Sequence, residues 1–401
     1  STAGVTFPSD GKHVMFDGCT IVGSLNMKDA DSSSVRNCTV GGTSFNVATV
    51  AGSGLMADAD TLDGCTFTGL SATTDFAMRF GFRDGSGADS CRYFVQRFNT
   101  FNISQSGNAA WTFSKHFYSP NFTSYGNTYN LTSTATGFSN NEGDYCVLFR
   151  DCSYNLRMKR DVILVNNEGS TQSHRGFMFA DGNNNPETNQ NSTVDSCYIR
   201  VFRGSGIYLK TPMPPLKIRN CVVRSRLGTA LDMATGYQAA AGDPYIHHNT
   251  FMGKNAVYFS EEANNGGGFS NNILWGTSTA PCDAYSAVGG TTGNLTAFSD
   301  SNLVYSTTMD SQRALCKTTC APPAAGPWTT TYSNDSHSVW ADPQFADTSW
   351  FNLNVAPSAS IAASSIFTLR YVGASAWPGG DDPWGPPASR KRPAYWGGEG
   401  D

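Results

Sequence analysis

Eleven short segments of this chain share one frame, and that repetition restricts the fold more than any other feature. Six carry cysteine: FDGCTI at Cys19, VRNCTV at Cys38, LDGCTF at Cys65, FRDCSY at Cys152, VDSCYI at Cys197 and IRNCVV at Cys221. Five carry asparagine in the same place: RFNTF at Asn99, YGNTY at Asn127, IHHNTF at Asn249, FSNNIL at Asn272 and SDSNLV at Asn302. Most copies read as an apolar residue, two polar or small residues, the marker, one variable residue and an apolar residue. The markers recur at 19 to 45 residues, an internal repeat too irregular for leucine-rich or helical arrays, whose periods are tight.

A second motif lies between the markers: NAAWTF (108–113), HRGFMF (174–179), GSGIYL (204–209), GTALDM (228–233) and KNAVYF (254–259). Small residues followed by apolar–polar–apolar alternation predict a short strand. Each repeat therefore holds at least two strands joined by turns of unequal length. A chain of such coils is a β-solenoid, in which each coil contacts its neighbours.

Equivalent positions of successive coils then stack at about the strand spacing, ~4.8 Å. The markers become an internal ladder of Cys19, Cys38, Cys65, Asn99, Asn127, Cys152, Cys197, Cys221, Asn249, Asn272 and Asn302. Stacked amides satisfy one another inside the core, and a free thiol packs there as a small apolar group. The odd total of 11 cysteines is then no anomaly, and stacked thiols are favoured over disulfides at the six marker cysteines. Cys91 and Cys146 precede Asn99 and Cys152 closely and are placed on an adjoining strand. Cys282, Cys316 and Cys320 lie in irregular stretches, where a loop disulfide would join Cys282 to Cys316 or Cys320.

Composition excludes other classes. No run of about eighteen apolar residues exists to span a membrane. A net charge of −5 with 27 Lys and Arg argues against a nucleic-acid partner. The spacing holds no nucleophilic triad, phosphate loop, dinucleotide fingerprint or Cys/His zinc site.

The repeated frame resembles the right-handed parallel β-helix proteins of the pectin-lyase-like superfamily. Residues 341–362, ADPQFADTSWFNLNVAPSASIA, resemble the closing segment of secreted bacterial β-helix surface proteins, with Ala-Pro-Ser where those read Ser-Pro-Ala. The resemblance implies an all-β, single-stranded, right-handed parallel β-helix of about eleven coils over residues 1–370. Residues 371–401 form an irregular Pro/Gly/Trp-rich tail or linker. The fold hosts lyases, hydrolases, tailspikes and structural proteins alike, so it does not fix an activity.

In the enzymes of that superfamily, the substrate groove runs along one face of the helix. Here the residues after the second-strand motif would line it: Lys115, His116, Asp181, Lys210, Thr235, Glu261 and Glu262. Asp181, Glu261 and Glu262 would serve as carboxylates of a hydrolase or lyase, and Lys210 as the base. A solvated face is the simpler reading of charges at such turns. No cofactor is expected, apart from calcium for a lyase. The stretch LRMKRDVILVNNEG (156–169) offers Arg157, Lys159, Arg160, Asp161 and Glu168 beside His174 as a functional loop, or else an extra coil, since VILVNN reads as a strand. SNNEGDYC (139–146) offers Glu142 and Asp144 without assignable partners. Sequons mark Asn37, Asn102, Asn121, Asn130, Asn191, Asn294 and Asn334, all but Asn37 being candidates for attached glycan.

Two functions compete on these residues. The first is a secreted, extracellular, non-enzymatic structural or adhesive surface or fibre subunit, which carries or binds glycan and self-associates into oligomers or filaments through its solenoid ends and aromatic tail. The second is a secreted polysaccharide lyase or glycoside hydrolase. A phage tailspike-like receptor-binding protein comes third. The chain begins at Ser1 and enters a coil almost at once, which fits a polypeptide whose secretion leader has been removed.

Overall fold

The computed structural model describes residues 4–7, 13–27, 31–47, 56–71, 77–81, 90–106, 112–117, 119–136, 144–150, 155–180, 191–209, 216–233, 245–259, 268–277, 285–287, 299–306, 315–317, 319–320 and 338–340. Among these residues there is no helix, and nearly every strand pairs in parallel with the equivalent strand of a neighbouring repeat. Parallel sheets of stacked short strands are compatible with a β-solenoid. One sheet is built from three-residue strands such as Ser34–Arg36, Arg157–Lys159 and Lys217–Arg219. A larger sheet contains the strands that follow each marker and the second-motif strands His174–Ala180 and Gly204–Leu209. In Val222–Met233 and Thr250–Phe259 the two kinds run together as one long strand.

In the sheet of three-residue strands, two left-handed corners bracket each strand wherever both its ends are described. The first falls six residues before the marker, at His13, Ser32, Ala59, Tyr93, Asn121, Asn155 and Asn191, with φ between 52° and 62°. The second falls directly before it, from Gly18 (φ 66°) through Asn37, Gly64, Gly126, Asn220 and Asn271 to Ser301. Glycine and asparagine tolerate this region and bulkier residues resist it. That is the physical origin of the small or amide residue before most markers. Phe98, Arg160 and His248 adopt the same φ without that advantage.

Alternation along the strands fills the core. Val35, Leu62, Met158, Val194, Ile218, Ile246 and Phe269, each three residues before a marker position, are fully or almost fully buried. Two residues after the markers, Phe67, Phe101 and Tyr129 stack with ring centroids 5.0 Å apart. Aromatic rings in register across parallel strands combine large apolar burial with favourable offset stacking.

Register corrects one marker. Thr128 pairs with Val162, and Val162 with Tyr198. The position between Asn127 and Cys197 is therefore held by Asp161 and not by Cys152, which lies outside the described residues. The segment MKRDVI (158–163) supplies the frame, and of the two readings of 156–169, functional loop or further coil, the structure shows the coil, with Val162–Asn166 as its strand. The column also extends beyond Asn302, because Leu303 pairs with Val339 and places Ser338 in the marker position.

Candidate functional site

The left-handed corner turns the backbone N–H of each marker along the stack, away from the strand ladder, so it needs an acceptor from the next repeat. Cys19 N–H donates to Cys38 Sγ at 3.4 Å. Cys65 N–H donates to Asn99 Oδ1 (2.8 Å), Asn99 to Asn127 (2.9 Å), and Asn127 to Asp161 Oδ1 (2.6 Å). The same relation links Cys221 to Asn249, Asn249 to Asn272, Asn272 to Asn302, and Asn302 to Ser338 Oγ. The marker must therefore be a short side chain that accepts a hydrogen bond, a condition met by Cys, Asn, Asp and Ser alike. Asparagine adds a donor: Nδ2 of Asn99, Asn127, Asn249, Asn272 and Asn302 reaches the carbonyl of Leu62, Gln96, Ile218, Ile246 and Phe269 respectively. No buried polar group of these amides is left over.

A second, shorter ladder at the first corner escaped the sequence reading. Val14 N–H donates to Ser33 Oγ, Ser33 N–H to Asp60 Oδ1 (2.7 Å), and Leu156 N–H to Ser192 Oγ. The available signal is a hydroxyl or carboxyl five residues before the marker, present in too few repeats to stand out.

Two carboxyls sit inside these ladders. Burial pushes Asp161 up to about 7, against the opposing pull of the Ser124 hydroxyl and Asn127. Burial also pushes Asp60 up to about 7, with the charges of Asp31 and Asp58 adding to it. In each, Oδ2 is buried and makes no hydrogen bond. The thiols follow the same physics: burial raises Cys65 to about 12 and drives Cys91 and Cys197 well above the ordinary thiol value. His174 is held neutral, lowered to about 4 by burial. Its Nε2 lies 3.1 Å from Gln105 Oε1, which also accepts from Ser133 Oγ at 2.6 Å.

Outside the core, titratable groups converge on the outer face of the second-motif strands. Met178, Tyr208, Asp232 and Tyr258 form one column in register. Their flanking residues Ile207, Leu209, Leu231 and Met233 point into the core. The Arg175 guanidinium lies over the Tyr208 ring, 4.0 Å from its centroid. Ser205 Oγ donates to Asp232 Oδ2 at 2.9 Å. Burial raises the Asp232 carboxyl, against the Ser205 hydroxyl and the Arg175 charge. Tyr208 is likewise raised, chiefly by burial. A guanidinium, a partly buried carboxyl, a hydroxyl and two phenol rings on one face can hydrogen-bond and stack against a sugar ring.

The residues singled out from the sequence fall as follows. Asp181, Lys210, Thr235, Glu261 and Glu262 lie outside the described residues. They follow the strand positions Phe179, Leu209, Met233 and Phe259, which are paired in register. Lys115 and His116 belong to the strand Thr112–Phe117, in register with Leu148 and Phe149. Among the sequons, Asn130 Nδ2 donates to Asn102 Oδ1 (2.9 Å) and Asn102 Nδ2 to the Phe67 carbonyl. Asn155 Nδ2 donates to Asn121 Oδ1, and Asn191 Nδ2 to Asn155 Oδ1 (2.8 Å). Asn37 Nδ2 donates to Asp17 Oδ1, while Asn294 and Asn334 lie outside the described residues. The Cys316 and Cys320 backbones face each other in an antiparallel pair, and Cys282 lies outside. Cys91 is fully buried in the strand Ser90–Arg92, and Cys146 lies in Asp144–Arg150. Residues 341–401, with the closing segment and the tail, are also outside. Among the described residues no group of three or more His, Cys, Asp and Glu is placed to hold a metal ion, and no helix is long and apolar enough to cross a membrane.

Comparison with protein-family models, with curated proteins and with solved structures finds no match to this chain.

Proposed function

We propose that the chain is a right-handed parallel β-helix of the pectin-lyase-like kind, with about one coil per marker from Cys19 to Ser338. In this reading it is an extracellular, non-catalytic structural or adhesive subunit that binds glycan on the outer face of its second-motif strands and self-associates. The observation that carries the glycan-binding role is the column Tyr208–Asp232–Tyr258 with Arg175 stacked on Tyr208. Aromatic faces beside a few oriented polar groups are the usual means of holding a sugar. Residues 1–370 act as one unit and 371–401 as a tail. The test is affinity electrophoresis of the full chain through gels containing neutral and acidic polysaccharides, with electron microscopy of the same sample. Retardation lost in Tyr208→Ala, together with oligomers or filaments, supports the reading. Release of unsaturated or reducing-end products overturns its non-catalytic part.

One observation favours a second reading, a secreted polysaccharide lyase or glycoside hydrolase. Asp232 is a partly buried carboxyl that accepts from Ser205 on the same face as Arg175, and burial raises it from its ordinary value, against the Ser205 hydroxyl and the Arg175 charge. Product release abolished by Asp232→Asn would establish that reading.

A further inference from the structure

The sheet of three-residue strands carries a feature that neither the ladder nor the Tyr208 column uses. From Thr123–Tyr125 to Tyr245–His247 its inward residues Ser124, Met158, Val194, Ile218 and Ile246 are buried. The residues on either side of them therefore face outward. One outward column pairs Thr123, Arg157, Thr193, Lys217 and Tyr245; the other pairs Tyr125, Lys159, Asp195, Arg219 and His247. The corner residue Arg160 adds a guanidinium whose Nη1 donates to Tyr125 Oη at 2.9 Å.

This face bears five cations against one carboxylate, in a chain whose net charge is −5. The carboxylate is already satisfied. Asp195 accepts from Arg219 Nε and Nη2 at 3.2 and 3.0 Å, and from Asn220 and Ser196. Despite the cost of its burial, these donors hold it below the usual carboxylate range. Arg157, Lys159 and Lys217 are exposed and form no ion pair among the described residues. The local potential is therefore positive. Burial is the main cause that lowers the His247 pKa; His248, Arg219 and Lys217 lower it further, against the opposing charge of Asp195.

We propose that this stripe binds a carboxylated polysaccharide lying along the stack of strands. Arg157 and Lys217 stand two strands apart, ~9.6 Å at the usual strand spacing. Such sparse charge suits a polymer with one carboxylate every sugar ring or two. It suits a duplex nucleic acid poorly, where charge recurs every ~1.7 Å of axis. Thr193 supplies a hydroxyl between Arg157 and Lys217, Thr123 supplies one beyond Arg157, and Tyr245, 43 % exposed, offers a ring face at the other end. The stripe lies on a different sheet from the Tyr208 column, so each is tested by its own variants.

The experiment uses the full chain in affinity electrophoresis through polygalacturonate, dextran sulfate or neutral dextran, with competition by a single-stranded oligonucleotide. Retardation by polygalacturonate that weakens as salt rises is expected, with at least about tenfold weaker binding for the triple variant R157Q/K159Q/K217Q. Tyr208→Ala should retain polygalacturonate binding. In a nuclear magnetic resonance titration, saturating polygalacturonate should raise the pKa of His247 in the parent and leave it unmoved in the triple variant. The three substituted residues are exposed, so the variant should unfold at the parent's temperature. Equal binding by parent and triple variant, no retardation by polygalacturonate, or equal preference for dextran sulfate or the oligonucleotide overturns the proposal. Loss of polygalacturonate binding in Tyr208→Ala with retention in the triple variant also overturns it.

Discussion

Asn127 gives both its backbone N–H and its Nδ2 to a single oxygen, Oδ1 of Asp161, at 2.6 and 3.2 Å. An amide in the place of Asp161 would turn its own Nδ2 toward the preceding repeat, as every ladder asparagine does. The carboxyl instead leaves Oδ2 buried and without a hydrogen bond. The stack favours a protonated acid at that site.

The consequence is a pH dependence of stability. Asp161 and Asp60 have folded-state values near 7, raised from 3.8. Each is neutral in both states below about pH 4, and its contribution is then complete. As pH rises through 4 to 7 the unfolded chain ionises while the folded chain resists, and stability is lost. The loss reaches about 2–4 kcal/mol per group above pH 7. Thermal unfolding should show a falling melting temperature between pH 5 and pH 8. Asp161→Asn should flatten that slope and melt higher than the parent at pH 8; an unchanged slope would show that Asp161 is not the source.

Removing a ladder amide should also be costly. Asn249→Leu leaves the Cys221 N–H without its acceptor in the core and withdraws the Nδ2 donor from the Ile218 carbonyl. An orphaned buried donor costs about 1–3 kcal/mol, and a loss in that range is expected. Urea unfolding at pH 6 measures it, and Asn249→Asp at the same pH should lose less.

The thiols should report the ladder directly. Cys19, Cys38, Cys65, Cys91, Cys197 and Cys221 are unpaired, and all but Cys19 are buried. A thiol reagent should label Cys19 in the native protein and reach the other five only on unfolding. Fewer than six labelled cysteines in denaturant without reductant would contradict the stacked-thiol core.

Gly204 occupies the tightest approach between second-motif strands. Its φ is 119°, and a Cβ there would collide with the backbone of His174. Gly204→Ala should destabilise the fold by about 3 kcal/mol or more, because neither backbone can yield without breaking the parallel pairing. Circular dichroism melting measures the effect, and Gly169→Ala, where the nearest contact is an ordinary 3.6 Å, is the control.

Most of the ladder was legible because its chemistry is local. A corner that favours glycine and asparagine, a short acceptor and an apolar strand recur within six residues, so the frame shows in the one-dimensional sequence. Asp161 was not legible for the same reason. Its corner is Arg160 and its marker is an acid, while FRDCSY nearby carries the commoner residues. Local propensity prefers the wrong segment there. The outward columns were less visible still. Arg157 and Lys217 are 60 positions apart in the chain and meet only through the pairing of strands joined by segments of unequal length.

The sequence by itself determined that this chain is a stack of short strands with small or amide residues at the turns and an acceptor at each marker. Those requirements come from backbone sterics and from unsatisfied N–H groups, and they act within a few residues. Only the tertiary structure decided which segment fills each place in the stack, which carboxyls are buried inside it, and which cations share a face. Those outcomes depend on register between strands, and register is set by the summed burial of all the repeats and by no single segment.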